Sequence, residues 1–559
     1  MKRIIVKLGL IAVVGLGSAV MLLGLLNQRV LVARATGPIL YVAPDGSDTT
    51  DCTSSANPCA TIQYAVDQAD AGAEIRAAMG TYAGVSAREG VTQVAYMSKT
   101  VALRGGYTTT NWIEPYPITQ PTTLDAQGQG RVLHISGGGI TVTLANLHVT
   151  GGHANGTSYQ GHGGGIYIAG ASTWITNSAV TSNTATGFGG GISALSASLR
   201  LAGSTVAFNL AGVGGGGIGL NYGTAIVDGS IVVSNTVPGP GTSAVGGGIA
   251  IARGEIVLNR NLIVSNTAGY GGGMASYFAT SVILSDNLIV SNSADSGGGL
   301  GLHYSSVTLD RNTVQSNTAR VEGGGLALDT SPALLSRNRI LANVAQSCGG
   351  VCAGGSITVT LKDTAVLSNV ATEYWAGGIG LFASHAILIN TIVADNSSPQ
   401  GSALRIEASS VQLIHATIAR NRNSPGLIVT GTVNQPSTVV LTNTILASHT
   451  IGVMVSAGST AKLDATLWGS GVWSNGLDWG GEGTIITGTV NVWGNPAFID
   501  PDAGDYHIGP GSAAIDAGVN AGVNVDIDGE PRPDGFGYDI GADEYTPRSR
   551  LYLPIVIRS

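Results

Sequence analysis

Three aspartates near the end of the chain have the types and spacing of metal ligands. Asp526-Ile527-Asp528-Gly529 begins like an oxygen-ligand loop for calcium, and Asp539 follows as a third carboxylate. The remaining positions of such a loop are missing. The competing expectation is that these carboxylates accept backbone N–H groups in Asx turns and caps. Four cysteines offer sulfur chemistry. Cys52 and Cys59 lie seven residues apart, and a disulfide closing that loop is expected. Cys348 and Cys352 flank Gly349-Gly350-Val351, where a second disulfide is expected across a chain corner, subject to geometry. No Gly-rich phosphate loop and no metal-spaced set of His and Cys is present.

The elements that must position these residues are repeats. An Asn closes each unit at 183, 209, 235, 266, 292, 317, 343, 369, 396 and 421, with spacings of 26, 26, 31, 26, 25, 26, 26, 27 and 25. A fixed period of this size is the mark of a solenoid. Within one unit, Leu300 and Leu302 alternate with Gly301, Val307 and Leu309 alternate with Thr308, and Val314 lies in a third short run. Period-two alternation in runs too short for a helix means strands. A unit of this length buries its apolar face only by stacking on the next coil, about 4.8 Å away. The expected fold is all-β: a single-stranded parallel β-helix of about 26 residues per coil, right-handed by the general crossover rule. The triple glycines (163–165, 189–191, 215–217, 246–248 and 271–273) mark one corner. The recurrent Asn marks another, where it is expected to take the left-handed region and to stack as a hydrogen-bonded ladder.

Once the coils are aligned, two further groups come together. Six residues before each closing Asn the column reads Asn177, Gly203, Gly229, Arg260, Asp286, Arg311, Arg337, Asp363, Asn390, His415. Arg260 with Asp286 and Asp286 with Arg311 are expected to pair, each pair weak at a surface. Aligned on the triple glycine, successive coils give Asn221-Tyr222, Ala252-Arg253, Tyr277-Phe278, His303-Tyr304 and Asp329-Thr330. Tyr222, Arg253, Tyr277, Phe278, His303 and Tyr304 are therefore expected to share one edge. Rings and cations on a rigid face suit binding of sugar rings; the alternative is aromatic packing at strand ends.

Composition sets the bounds. Among 559 residues there are 84 Gly and only 6 Phe, 11% are charged, and the net charge is −8. Mild acidity argues against a nucleic-acid partner, which needs a basic face. Residues 1–35 read as a signal peptide: Lys2, Arg3 and Lys7 precede an apolar run from Leu8 to Leu26, and Ala33-Arg34-Ala35 is a cleavage site. An uncleaved signal anchor is the alternative. Residues 36–72 are expected to cap the first coil, with a helix over Thr61 to Ala71 whose apolar face is Ile62, Ala65, Val66 and Ala69. The β-helix is expected over 73–455 and a C-terminal cap over 456–546, with four tryptophans plugging the stack. Residues 547–559 read as a sorting or attachment tail. A membrane is expected to be met only through the N-terminal segment or this tail.

The units resemble the right-handed β-helix repeats of secreted bacterial proteins with the pectin-lyase-like fold, and the repeats of polymorphic outer membrane proteins, as in Gly189-Gly190-Gly191-Ile192 and Phe208-Asn209. The C-terminal motifs are Asn495-Pro496-Ala497-Phe498-Ile499-Asp500, Gly511 to Gly518, and Asp526 to Arg532 through Asp539 to Tyr545. They closely resemble the end of the choice-of-anchor Q family of exported bacterial proteins. That resemblance implies export to the cell surface and no defined reaction. Hydrolases of polysaccharides with this fold use paired Asp residues, in an Asn-Thr-Asp and an Asp-Asp segment that this chain lacks. Lyases use a Lys or Arg base, and Lys362 is the sole Lys of the repeat array. The expected role is non-catalytic adhesion or binding of an extracellular polysaccharide or cell-envelope component. A polysaccharide lyase or hydrolase, and a purely structural surface-layer element, are the alternatives.

Overall fold

The computed structural model describes residues 37–546 except 422, 423 and 433; the expected signal segment and tail lie outside the described residues. The described chain divides into two compact units, residues 37–334 with 338–355, and residues 335–337 with 356–546. Each is a parallel β-solenoid with about 26 residues per coil. Among the described residues, no helix is long and apolar enough to cross a membrane.

In unit 1 the strand after each triple glycine pairs with its counterpart one coil on. Ile166, Ile192, Ile218, Ile249, Met274, Leu300, Leu326 and Val351 stand in one register line, and every one is fully buried. A second line runs through Leu199, Ala225, Ile256, Val282 and Val307 on the next wall. Burying one such Ile, Leu or Val contributes roughly 1.5–3 kcal/mol, so these stacked rows hold the coils together. The five extra residues before Ala244 keep this register, because Thr236 still bridges Thr267 and Val245 still bridges Tyr270.

The corners correct one expectation. The closing Asn does not take the left-handed region; the residue before it does, at Ser182, Phe208, Ser234, Ser265, Ser291 and Ser316. The reason is geometric. Asn266 must aim both its N–H and its side chain at the next coil, where both donate to Asn292 Oδ1 at 2.9 and 3.0 Å. Asn266 Oδ1 in turn accepts the same two bonds from Asn235. The ladder runs unbroken from Asn183 through Asn209, Asn235, Asn266, Asn292 and Asn317 to Asn343, and again from Asn369 through Asn396 to Asn421. A second ladder follows the charge column: Ser178, Ser204, Ser230, Asn261, Asn287 and Asn312. In that column Arg311 grips Asp286 at 2.7 Å, whereas Arg260 donates to Asp228 at 2.8 Å.

The N-terminal end carries helix α1 (Ile62–Gln68), capped by Thr61 Oγ1 accepting from the Tyr64 N–H at 3.2 Å. Ile62, Ala65, Val66 and Ala69 are buried. Cys52 and Cys59 are joined in a disulfide. Cys348 and Cys352, the other expected pair, bring their sulfurs to 2.6 Å. That lies between the roughly 2.05 Å of a bond and ordinary non-bonded contact, and Cys352 also lies 3.7 Å from Glu322 Oε2.

In unit 2 the coils continue past the expected boundary at 456. Thr466–Gly469 still pairs in parallel with Asn491–Gly494, and Trp468 lies opposite Trp493. Trp468 is buried, but Trp493 and Trp479 are exposed, so the tryptophans do not jointly form a plug. Residues 495–546 instead fold back along the flank of unit 2. Asn390 donates to Val525 O, Asn443 exchanges hydrogen bonds with Val519, and Ala542 N–H donates to Thr417 Oγ1. Three carboxylates knot this segment. Asp526 accepts from the N–H groups of Asp528, Glu530 and Glu544; Asp539 from Asp516 and Tyr545; Glu544 from Asp534 and Asp539. Glu544 also pairs with Arg532 at 2.8 Å, both side chains fully buried.

Candidate functional site

The strand register brings Asn221, Ala252, Tyr277, His303 and Asp329 into one row on the outer face of unit 1. The next residue on each coil, at Tyr222, Arg253, Phe278, Tyr304 and Thr330, turns the corner with positive φ. The six residues expected to share an edge therefore separate into two rows. Tyr222, Phe278 and Tyr304 are each about half exposed at the corner, with Arg253 between them. Phe278 and Tyr304 stack at 5.1 Å and 8°, and the Arg253 guanidinium lies 5.6 Å from the Tyr222 ring and 5.7 Å from Phe278. Arg253 Nη1 also donates to Tyr222 Oη at 3.1 Å. Neighbours in this column therefore cover part of one another's ring faces, while each ring stays about half exposed.

The row beside the corner brings more reactive side chains together. His303 Nδ1 bonds Asp329 Oδ2 at 2.6 Å, and Asp329 Oδ1 accepts from Thr330 Oγ1 at 3.0 Å. The Tyr277 ring lies 5.3 Å from His303 and 5.4 Å from Tyr270. Tyr270 is 7% exposed, because its ring lies over Gly301, where a Cβ would approach Tyr270 Cε1 to 2.6 Å. Tyr270 Oη and Tyr277 Oη are enclosed, and neither has a hydrogen-bond partner among the described residues. Desolvation lifts both phenols above their usual range. Glu322 completes the group. Desolvation raises its carboxyl, and the Asp329 charge adds to that. As a thiol, Cys352 is pushed well up by a hydrogen bond to Cys348 and by burial.

Tyr270 and Glu322 were not among the residues expected from sequence. Each immediately precedes a triple glycine, in the column Phe188, Gly214, Val245, Tyr270, Ser296, Glu322. Reading one residue back from the glycines would have found them.

The aspartates expected to share calcium do not converge. Asp526 and Asp539 are spent on backbone N–H groups, since a chain folding back on itself leaves donors that buried carboxylates must satisfy. Burial raises Asp539 to about 7. Asp528 turns the other way and meets His507 Nε2 at 2.6 Å. Lys362, the lyase candidate, sits 3.8 Å from Asp363 and is half exposed.

No family model matches the chain, and no curated protein is similar to it in sequence. Among solved structures, a double mutant of the periplasmic alginate epimerase AlgG is 11% identical, with a TM-score of 0.32 over 73% of this chain and 79% of its own. Pectate lyase Pel9A is 13% identical, with a TM-score of 0.22 over 92% and 98%. The A-module of the Azotobacter vinelandii mannuronan C-5 epimerase AlgE6 is 12% identical, with a TM-score of 0.26 over 77% and 93%. Similarity this distant carries no inference about activity.

Proposed function

We propose that this is an exported, cell-surface β-helix protein that binds an extracellular polysaccharide on the outer face of unit 1, at the row of Tyr277, His303 and Asp329. The observation that carries the reading is the pair of enclosed phenol hydroxyls, Tyr270 Oη and Tyr277 Oη, without partners beside the His303–Asp329 pair. A buried hydroxyl left unbonded costs on the order of 1–3 kcal/mol, and a sugar hydroxyl supplies both donor and acceptor. His303, Asp329 and Glu322 offer further acceptors and donors beside them. The signal segment and the choice-of-anchor Q-like end support export and adhesion to the cell envelope.

The test is binding of neutral and acidic polysaccharides by calorimetry and by retention on insoluble glycans. Tyr270→Phe and Tyr277→Phe remove the hydroxyls and keep the rings. Binding that weakens roughly tenfold or more in either variant supports this site. Binding untouched by both variants places the ligand elsewhere and sinks this reading.

One observation favours catalysis as a second reading. Glu322, its carboxyl raised by burial and by the Asp329 charge, stands near Asp329, and two neighbouring carboxyl groups can serve as acid and base. New reducing ends or unsaturated products, abolished by Glu322→Gln, would make this face a hydrolase or lyase site.

A further inference from the structure

A second constellation lies in unit 2, in a cleft of about 680 Å³ lined by Ile499, Asp505, His507, Asp528, Glu530 and Asp543. The donor atoms of His507, Asp528 and Asp543 all lie within 4.8 Å of one another. Three features go beyond a collection of acids. His507 is held by its other nitrogen, Nδ1, which bonds Asp505 Oδ1 at 2.5 Å, so Nε2 points into the cluster. A carboxylate bonded to the far side of an imidazole is the support that metal-ligating histidines carry. Asp543 is 94% buried by its 6% exposure, yet only one of its oxygens has a protein donor, the Ile508 N–H on Oδ2 at 2.8 Å. The other oxygen has no partner among the described residues. Asp528, by contrast, has a side chain 57% exposed and meets solvent beyond His507.

We propose that His507 Nε2, Asp528 and Asp543 bind one divalent transition-metal ion of the zinc type, with water completing its shell. The donor set decides the class. Calcium takes oxygen ligands almost alone, whereas an imidazole with two carboxylates suits zinc and its neighbours. Donors on one zinc ion at about 2.1 Å stand roughly 3.4 Å apart, so small side-chain rotations close the site. The ion takes the place of the proton that His507 shares with Asp528, and that proton leaves to solvent. Asp505 stays outside as the positioning residue.

The experiment uses the full chain stripped with chelator and titrated calorimetrically with zinc chloride, then with calcium chloride. One zinc site is expected, with calcium at least a hundredfold weaker. His507→Ala and Asp528→Asn are expected to weaken zinc at least tenfold, while Lys462→Ala, an exposed change elsewhere in unit 2, leaves it unchanged. Because variants of the cleft can misfold, cobalt is added to the unaltered protein as an independent readout. Visible d–d bands lost on zinc addition support nitrogen-containing, low-coordinate ligation at this site. No zinc heat and no cobalt bands would overturn the proposal, leaving His507 as an imidazolium clamp between Asp505 and Asp528. Zinc binding that survives His507→Ala in a folded variant overturns it as well.

Discussion

The rings of Phe278 and Tyr304 lie 8° from parallel with their centroids 5.1 Å apart, so each covers a face of the other. The corner column thus ties one coil to the next through its rings. Tyr304→Ala is expected to cost about 1 kcal/mol of stability, the usual worth of such a pair beyond its buried area. Urea unfolding followed by far-UV circular dichroism checks this. Glycan affinity should fall far less than in Tyr277→Phe; an equal or larger fall would return the corner column to the binding face.

The Asn ladder is expected to be the costliest place to cut. Asn266→Ala strands the N–H and Nδ2 of Asn235 and the carbonyl of Val232, all buried. A loss of about 2–4 kcal/mol follows from several unmet buried groups. Asn266→Asp keeps the acceptor but removes the side-chain donor, and should cost at least as much once a charge is buried. Hydrogen exchange at the amides of Asn235 and Thr267 reads the effect locally, where a whole-chain transition would blur it.

His449 occupies a ladder position in unit 2, its N–H donating to Asn475 Oδ1 at 3.1 Å and its Nε2–H to Ile418 O at 3.0 Å. Burial depresses its pKa to about 4. An unfolded histidine takes up a proton near pH 6.5, so between pH 6.5 and 4 the unfolded chain binds more protons. Stability is therefore lost as pH falls through that window, by up to about 3 kcal/mol from this residue. His449→Asn should flatten the fall in melting temperature between pH 7 and 4. An unchanged slope would assign the acid sensitivity to other groups, His415 among them.

The Arg532–Glu544 pair is the pin of the folded-back segment. Arg532→Met leaves Glu544 charged, buried and unpaired, which costs about 3–5 kcal/mol. Adding Glu544→Leu should recover little of it, because Glu544 also accepts from the N–H groups of Asp534 and Asp539. Limited proteolysis is the readout: residues 495–546 should be cut away first, while the coils of unit 2 resist. Proteolysis no faster than in the unaltered protein would show that the pair is dispensable.

Most of the architecture was legible because a solenoid writes its geometry as a period. The Asn spacing gave the coil length, and the alternation in Leu300–His303 and Val307–Asp310 gave the walls. The row from Asn221 to Asp329 followed by counting. What counting missed depends on direction. Nothing in the type of Ser265 announces that it, and not Asn266, turns the corner. Tyr270 lies flat and buried because Gly301, on the following coil, has no side chain. The motif Asp526 to Asp539 looked like a ligand loop because turn-capping and metal-binding use the same carboxylates. His507 and Asp543 lie 36 residues apart and meet only because residues 495–546 fold back.

The ladder also has a direction. Each Asn gives its backbone N–H and one side-chain N–H to the coil that follows, returns its other side-chain N–H to a carbonyl of the coil before, and accepts from the Asn of that coil, as Asn292 does toward Asn317, Ile263 and Asn266. A chain delivered from its N-terminus onward therefore completes each rung only when the next coil arrives. At every moment of such delivery a single rung stands open at the growing edge, and it accepts only the segment next in line. Assembly acquires an order, like a zip closed from one end, without any helper having to impose it.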